Sequence, residues 1–207
     1  MARKTPAEAA RTRQRILDAA GEVFSRDGIA QTTLEQIAQQ AGVSRGAIYW
    51  HFKGKRDLLQ TLFDEQKLPL EYSLGKDTDL DAGWRLLRKA LIETVSSDPS
   101  RRLSGIMLYQ RVDTTDSLAA GQRLIQAREY FMGQLQLLLS NAVARGELAS
   151  ALDISAVKEF FQVCISGLLY ECLENTGKEV EVISSSLATM LYLVKHPPGH
   201  LLQSPSE

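Results

Sequence analysis

The chain has 207 residues, of which 44% are hydrophobic and 24% charged, a composition typical of a globular protein. No segment approaches the roughly 18 uninterrupted apolar residues of a membrane helix. The N-terminal sequence MARKTPAEAARTRQR lacks the apolar stretch of a secretory signal peptide, so we expect a cytoplasmic protein. The net charge of -1 conceals an asymmetry, because residues 1–60 carry +4 and the remainder -5; this favours a polyanionic partner for the N-terminal end.

The first predicted helix begins after Thr5. Thr5 and Glu8 have the spacing of a capping box, and Pro6 suits the first helical position. The apolar stripe of this helix, at helical spacing, consists of Ile16, Leu17, Ala20, Val23 and Phe24. Gly28 follows the last apolar turn and is expected to end the helix.

Two short helices are predicted next. Thr32, with Glu35 three residues later, predicts the cap of the second helix, which ends at Gly42. Ser44 then caps a third helix, with Ile48 on its inner side. Gly42 tolerates the positive φ that a tight turn requires, and three short helices joined in this way indicate a helix-turn-helix.

The outer face of the third helix consists of Arg45, Gly46 and Tyr49. This face suits a DNA major groove, because a guanidinium reads guanine edges, glycine allows close approach and a tyrosine contacts phosphate or a thymine methyl. Thr33 and Ser44 stand near helix starts, where a hydroxyl and free N–H groups hold a phosphate. The plainer alternative is that Arg45 is a solvated charge and Ser44 only a cap.

The rest of the chain also predicts helices. Strand signals are nearly absent, so we expect an all-α fold of about nine helices. A fourth helix follows Lys55 and ends or kinks at Pro69. After a polar linker over 74–83, further helices are predicted over about 80–97, 100–112, 115–145, 153–175 and 179–195.

The last two predicted helices carry an apolar band too wide for one intramolecular contact. The simplest partner is the same helix pair of a second copy. The alternative is that both faces are buried within one monomer. The candidate interface residues are Phe161, Ile165, Leu168, Leu187 and Leu191.

Motifs of catalysis are missing from the sequence. It contains no phosphate-binding loop, no HExxH motif and no nucleophile with a matched base. We therefore expect that the protein is not an enzyme and binds no cofactor. Cys164 and Cys172 have no CxxC partner for a metal and stand too far apart on one helix for a mutual disulfide. A redox role for them would have to cross a dimer interface.

The stretch TTLEQIAQQAGVSRGAIYWHFKGKRDLL, from Thr32 to Leu59, resembles the DNA-binding signature of TetR-type transcriptional repressors. The opening MARKT, the IYWHF run and ARGEL, from Ala144 to Leu148, are most similar to the AcrR branch, whose members commonly repress multidrug efflux genes. The motif match spans about residues 5–63, and beyond it only helix order and length are similar. The resemblance implies contacts to bases from Arg45 and Tyr49 and contacts to phosphates from Thr33, Ser44, His51 and Lys55, with Trp50 near the DNA backbone.

The resemblance also implies a four-helix dimer interface and a ligand pocket enclosed by the fourth to eighth helices. Our candidates for that pocket are Leu62, Trp84, Leu87, Met107, Gln110, Arg128 and Phe131. Rings and a thioether suit a bulky, partly aromatic ligand, although apolar residues of this kind are more often plain core positions. Arg128 interrupts an apolar stripe and is expected as an internal cation that needs a partner.

Together these patterns predict a helix-turn-helix DNA-binding domain over 1–54, a helical ligand-binding and dimerisation bundle over 55–196 and a flexible tail over 197–207. We expect a repressor that binds a palindromic DNA operator as a homodimer, controls a multidrug efflux operon and is released by small hydrophobic ligands. One alternative is a TetR-type regulator of metabolic genes that senses an endogenous metabolite. Another is a helical interaction adaptor that does not read DNA.

Overall fold

The computed structural model describes residues 5–75, 77–109 and 115–203. Over these ranges the predicted all-α fold is confirmed, with nine α-helices, two short 3-10 helices and no β-strand. The α-helices are α1 (Pro6–Asp27), α2 (Leu34–Ala41), α3 (Arg45–His51), α4 (Lys55–Glu65), α5 (Leu80–Ser96), α6 (Asp98–Tyr109), α7 (Thr115–Ala144), α8 (Ile154–Glu174) and α9 (Glu179–Lys195). None of these helices is long and apolar enough to span a membrane, as far as the chain is described.

The cap of α1 is the predicted one. The Thr5 hydroxyl accepts a hydrogen bond from the backbone N–H of Glu8, and the Glu8 carboxylate accepts one from the backbone N–H of Thr5. Pro6 occupies the first turn, where its missing N–H costs no helical hydrogen bond. Gly28, with φ of 78°, ends the helix as expected.

The described residues form two compact units. The first comprises those of Met1–Lys67 and Asp98–Ile125, and the second those of Leu68–Ser97 and Gln126–Glu207. In the first unit, α1 packs against α2, α3, α4 and α6, and its predicted apolar stripe is buried. The functional boundary after residue 54 stays a prediction.

In the second unit, Trp84 of α5 contacts both α8 and α9. The indole N–H of Trp84 donates to the backbone carbonyl of Leu187 over 2.9 Å, and its ring meets the Phe161 ring edge-on at 5.7 Å between centroids. Gly83, also buried, faces the Leu138 side chain of α7 so closely that no Cβ fits between them. A glycine at this position therefore sets the approach of α5 and α7.

The segment after α9 differs from the flexible tail expected from residue 197. A 3-10 helix spans Gly199–Leu201, and the Leu201 side chain is buried. The backbone of Asp153 donates to the carbonyl of Leu201 over 2.9 Å, and that of Gln203 donates to Ala151 over 2.7 Å. Burial of one leucine and pairing of these backbone groups fix a segment whose Pro- and Gly-rich composition predicts disorder.

Candidate nucleic-acid interface

The turn between α2 and α3 has the predicted left-handed residue. Gly42 adopts φ of 62° and ψ of 40°, and its N–H donates to the carbonyl of Gln39 over 3.1 Å. The guanidinium of Arg15 on α1 donates to the carbonyls of Ala41 and Gly42 over 2.9 and 3.3 Å. These bonds satisfy carbonyls at the end of α2 and hold the turn against α1.

The predicted division of α3 into an inner and an outer face is confirmed. Ser44 caps the helix by accepting from the backbone N–H of Ala47 over 3.2 Å. Ile48 and the following Phe52 are buried, whereas Arg45, Gly46 and Tyr49 are exposed. Trp50 is the most exposed aromatic residue of this segment, at 72%.

Arg45 and Tyr49 form a pair on the outer face. The Arg45 guanidinium donates to the Tyr49 hydroxyl over 3.3 Å and lies 5.6 Å from the centre of the tyrosine ring. This hydrogen bond raises the pKa of Arg45. A guanidinium is a cation at physiological pH even without such a shift. Side chains four residues apart are neighbours on a helix, which explains why the sequence places them together.

The cap of α2 differs from the predicted one. Thr33, not Thr32, is the N-cap, and it forms a capping box with Gln36 in place of Glu35. Thr32 is buried, and its hydroxyl donates to the carbonyl of Gly28 over 2.7 Å. The shift leaves the exposed Thr33 hydroxyl at the helix start, as the phosphate-contact prediction requires.

Two further DNA-contact candidates have contacts within the protein. The Lys55 ammonium donates to the carbonyl of Ile29 over 2.9 Å, which places this cation at the start of α4. His51 is half-buried as the last residue of α3, and its ring meets that of Trp50 edge-on at 4.4 Å. The bond to Ile29 therefore holds the Lys55 ammonium against the loop that follows α1.

The exposed side chains of α3 and the cap of α2 have the chemistry that contacts with a major groove and its phosphates require. An α-helix fits the groove, a guanidinium donates to guanine, and hydroxyls and N–H groups at helix starts hold phosphates. We call this set the α3 face: Thr33, Ser44, Arg45, Gly46, Tyr49 and Trp50. The individual DNA contacts of the α3 face, of His51 and of Lys55 stay predictions.

Sequence reasoning missed the arginines of α1 that position this face. Arg15 reaches the turn across 26 residues of sequence, and Arg13 bonds both carboxylate oxygens of Glu65 and lies 5.3 Å from the centre of the Phe52 ring. Local spacing carries no signal for such pairs, because they form only after α1 packs on α2, α3 and α4.

The ligand-pocket candidates are divided between the two units. Leu62 and Met107 are buried in the first unit. Trp84, Leu87 and Phe131 are buried in the second. Gln110 lies outside the described residues.

Arg128 is not the internal cation that the apolar stripe predicts. Its side chain is exposed, whereas Ala127, Phe131 and Met132 are buried. The stripe of apolar residues gradually changes its direction around the axis of α7. Arg128 therefore reaches solvent and needs no buried partner.

The dimer-interface candidates need a similar correction. Phe161, Ile165, Leu168 and Leu187 are buried by their own chain, and Leu191 is half-buried. The first four are therefore not available to a second copy. Other apolar side chains of α8 and α9 are exposed, and we call this set the α8–α9 face: Phe160, Val163, Tyr170, Val180 and Tyr192.

Comparison with known proteins agrees with this geometry. The family described as "Bacterial regulatory proteins, tetR family" matches residues 16–62. The HTH-type transcriptional regulator SrpR of Pseudomonas putida is 40% identical over 202 residues, which are 98% of this chain and 94% of SrpR.

Two solved structures share the fold. NalD, the secondary repressor of the MexAB-OprM multidrug efflux pump in Pseudomonas aeruginosa, superimposes with a TM-score of 0.74 at 26% identity, over 92% of this chain and 99% of NalD. A complex of SmeT with triclosan superimposes with a TM-score of 0.74 at 25% identity, over 95% of this chain and all (100%) of the SmeT chain. SmeT is the repressor of the Stenotrophomonas maltophilia multidrug efflux pump SmeDEF.

The helix-turn-helix lies within the matched segment, and the similarity to SrpR covers nearly the full length of both chains. This chain belongs to the TetR family of bacterial transcriptional regulators.

Proposed function

We propose that this regulator is a repressor that binds a palindromic operator as a homodimer, controls genes of a multidrug efflux pump and is released by a small hydrophobic ligand. The observation that carries the proposal is the α3 face. Buried Ile48 and Phe52 fix the helix. Arg45, Tyr49 and Trp50 are left exposed, and the first two are hydrogen-bonded to each other. A fixed helix with an exposed guanidinium has the donors that read guanine edges in a major groove.

The α8–α9 face supports the dimer. Val163 is 73% exposed, and Phe160 and Tyr170 lie on the same side of α8 by helical spacing. Exposed apolar side chains grouped on one face mark an interaction surface. A two-fold dimer presents two α3 helices to half-sites spaced roughly 34 Å apart along DNA.

Efflux control and ligand release are supported by the relatives. NalD and SmeT are described as repressors of multidrug efflux pumps, and a complex of SmeT with triclosan, an apolar aromatic compound, has been solved. In this chain the buried rings of Trp84, Phe131 and Phe161 offer apolar contacts of the same chemical kind.

The first test is binding to a palindrome upstream of the protein's own gene. Fluorescence anisotropy over a series of salt concentrations should give an affinity that falls steeply with salt, because phosphate contacts release counterions. Arg45→Ala should cost about 1–3 kcal/mol of operator affinity and relax sequence preference, whereas Arg88→Ala on α5, an exposed arginine far along the sequence, should not. Unchanged affinity and preference in Arg45→Ala would contradict the assignment of the α3 face.

Ligand release is tested with the same operator complex. Triclosan should raise the dissociation constant severalfold, since a ligand that prefers the DNA-free conformation shifts the equilibrium toward it. A panel of hydrophobic drugs that leaves operator affinity unchanged would remove ligand release from the proposal.

A further inference from the structure

A cavity of about 350 Å³ lies within the first unit, among α1, α4 and α6. Its apolar wall consists of Leu17, Leu62, Leu103 and Ile106, all of them buried. The volume falls within the range of small-molecule sites. None of its lining residues belongs to the α3 face, so this cavity is distinct from the DNA-contact surface described above.

Gly21 forms part of the wall from the middle of α1. Glycine destabilises a helix interior relative to alanine, so its presence needs a reason. A Cβ at this position would meet nothing closer than a methyl group of Leu62 at 3.8 Å, which is an ordinary contact. Close packing therefore does not require the glycine, and its lack of a side chain leaves more space at this point of the cavity wall.

The polar side of the cavity carries an excess of negative charge. Asp18 and Glu22 contribute two carboxylates and Arg102 one guanidinium. Glu22 Oε1 lies 3.4 Å from Arg102 Nη1, a long contact between side chains that are each 40% exposed. Ion pairs of this exposure are weak, so another cation competes readily with Arg102 for the carboxylate.

Glu22 also connects the cavity to the helix-turn-helix. Its second carboxylate oxygen accepts a hydrogen bond from the side-chain amide of Gln40 on α2 over 2.6 Å. One carboxylate thus contacts the cavity, α6 through Arg102 and α2 through Gln40. A change of partner at Glu22 therefore reaches the first helix of the helix-turn-helix pair.

We infer that this cavity binds a compact organic cation, with its apolar body against Leu62 and Ile106 and its positive centre beside Glu22 in competition with Arg102. A cation bound in the cavity changes the hydrogen bond between Glu22 and Gln40 and so lowers the affinity of the protein for its operator. Binding of the cation does not depend on the proposed function, whereas the effect on operator affinity rests on it.

The test uses benzyltrimethylammonium and its neutral isostere neopentylbenzene, titrated calorimetrically into the full chain without DNA. The cation should bind about tenfold more tightly than the neutral compound. Its affinity should fall as salt is added, because the carboxylates that attract it are partly exposed. Equal affinity for the two compounds, or no binding of either, would overturn the site.

Two charge variants have opposite expected effects. Glu22→Gln should weaken cation binding by up to about fivefold, the upper end of what partly exposed ion pairs contribute. Arg102→Gln should strengthen it by a similar factor, because the competing guanidinium is gone and the net charge becomes more negative. Glu93→Gln, which removes a carboxylate from an ion pair on α5, is the matched control and should leave the affinity unchanged. Weakening by both Glu22→Gln and Arg102→Gln would indicate loss of structure and contradict the inference.

The volume requirement is tested at Gly21. Gly21→Met should place a long side chain in the space that the ligand needs and abolish cation binding, with the circular dichroism spectrum retained. Gly21→Ala, which fits without displacing Leu62, should fold and bind more weakly, and Gly133→Ala on exposed helix surface should bind as the parent does. Full binding in a folded Gly21→Ala and Gly21→Met would refute the cavity as the site.

The regulatory link is read from operator affinity with and without benzyltrimethylammonium. The cation should raise the operator dissociation constant severalfold in the parent and leave it unchanged in Gly21→Met. An operator affinity indifferent to a bound cation would overturn the link through Glu22. If the chain binds no operator at all, the proposed function fails, and the titrations without DNA still decide the site.

Discussion

Arg13 shows how single side chains of α1 hold the helix-turn-helix. Its guanidinium bonds both oxygens of the Glu65 carboxylate on α4 and lies over the ring of Phe52, the residue that ends α3. A bidentate pair of this kind fixes direction as well as distance. The orientation of α3 is therefore tied to α4 through one side chain.

The Arg13–Glu65 pair predicts a contribution to acid sensitivity. The hydrogen bond from Arg13 lowers the pKa of Glu65 below its ordinary 4.5. A carboxyl group whose pKa is lower in the folded state stabilises the fold above its ordinary pKa, and this stabilisation is lost as pH falls through the lowered value. The side chains of Arg13 and Glu65 are 34% and 45% exposed, so the pair contributes only about 0.2–1 kcal/mol to the free energy of unfolding.

Glu65→Gln should therefore reduce the free energy of unfolding near neutral pH and make its decline below pH 4.5 less steep. Urea denaturation at a series of pH values measures both effects. Asp64→Asn, at the adjacent exposed carboxylate on α4, is the control. A parallel decline in the parent and in Glu65→Gln would show that the pair does not contribute.

At the scale of helices, Gly83 sets the packing of α5 on α7. Alanine is a better helix former than glycine, and on an exposed helix the exchange gains up to about 1 kcal/mol. At Gly83 a methyl group would overlap the side chain of Leu138, which is itself buried, and overpacking of a core costs about 1–3 kcal/mol.

Gly83→Ala should therefore destabilise the protein despite the gain in helix propensity, and Gly133→Ala, with no atom near the new methyl group, should stabilise it slightly. Thermal denaturation of the two variants separates packing from propensity. Two variants that shift the melting temperature in the same upward direction would contradict the packing argument.

The α8–α9 face predicts where a charge breaks the dimer. Val163→Glu adds a charge at a side chain that is 73% exposed in the single chain, so it should leave the helix folded and yield monomers in sedimentation velocity. Gln162→Glu adds the same charge at the preceding residue, whose side chain is rotated by about 100° around the helix axis, and this variant should remain dimeric. A dimeric Val163→Glu would exclude this face.

Leu168→Glu illustrates why the corrected assignment matters. Leu168 is buried by its own chain, so a carboxylate there should unfold the second unit instead of separating subunits. Loss of helical circular dichroism distinguishes this outcome from dissociation of a folded dimer.

For the whole molecule, sequence patterns predicted features that depend on neighbouring residues. The capping box at Thr5, the left-handed Gly42 and the two faces of α3 follow from spacings of a few residues. Which face of α8 turns inward is decided by its packing on α5 and α9, and Leu168 and Phe160 both fit the apolar pattern although only Leu168 is buried. Similarly, the burial of Leu201 depends on the start of α8, which composition does not encode.

The two tryptophans differ sharply in environment. Trp50 is 72% exposed on the α3 face, and Trp84 is 5% exposed, with its indole bonded inside the second unit. Because the chain contains no other tryptophan, each unit carries its own optical reporter. In Trp84→Phe, the tryptophan fluorescence comes from Trp50, and its emission should be red-shifted and should respond to operator DNA. In Trp50→Phe, the fluorescence comes from Trp84, and its emission should be blue-shifted, unaffected by DNA and sensitive to unfolding of the second unit. Stopped-flow recordings of the two variants should thus time DNA engagement and loss of the bundle core separately, without any attached dye.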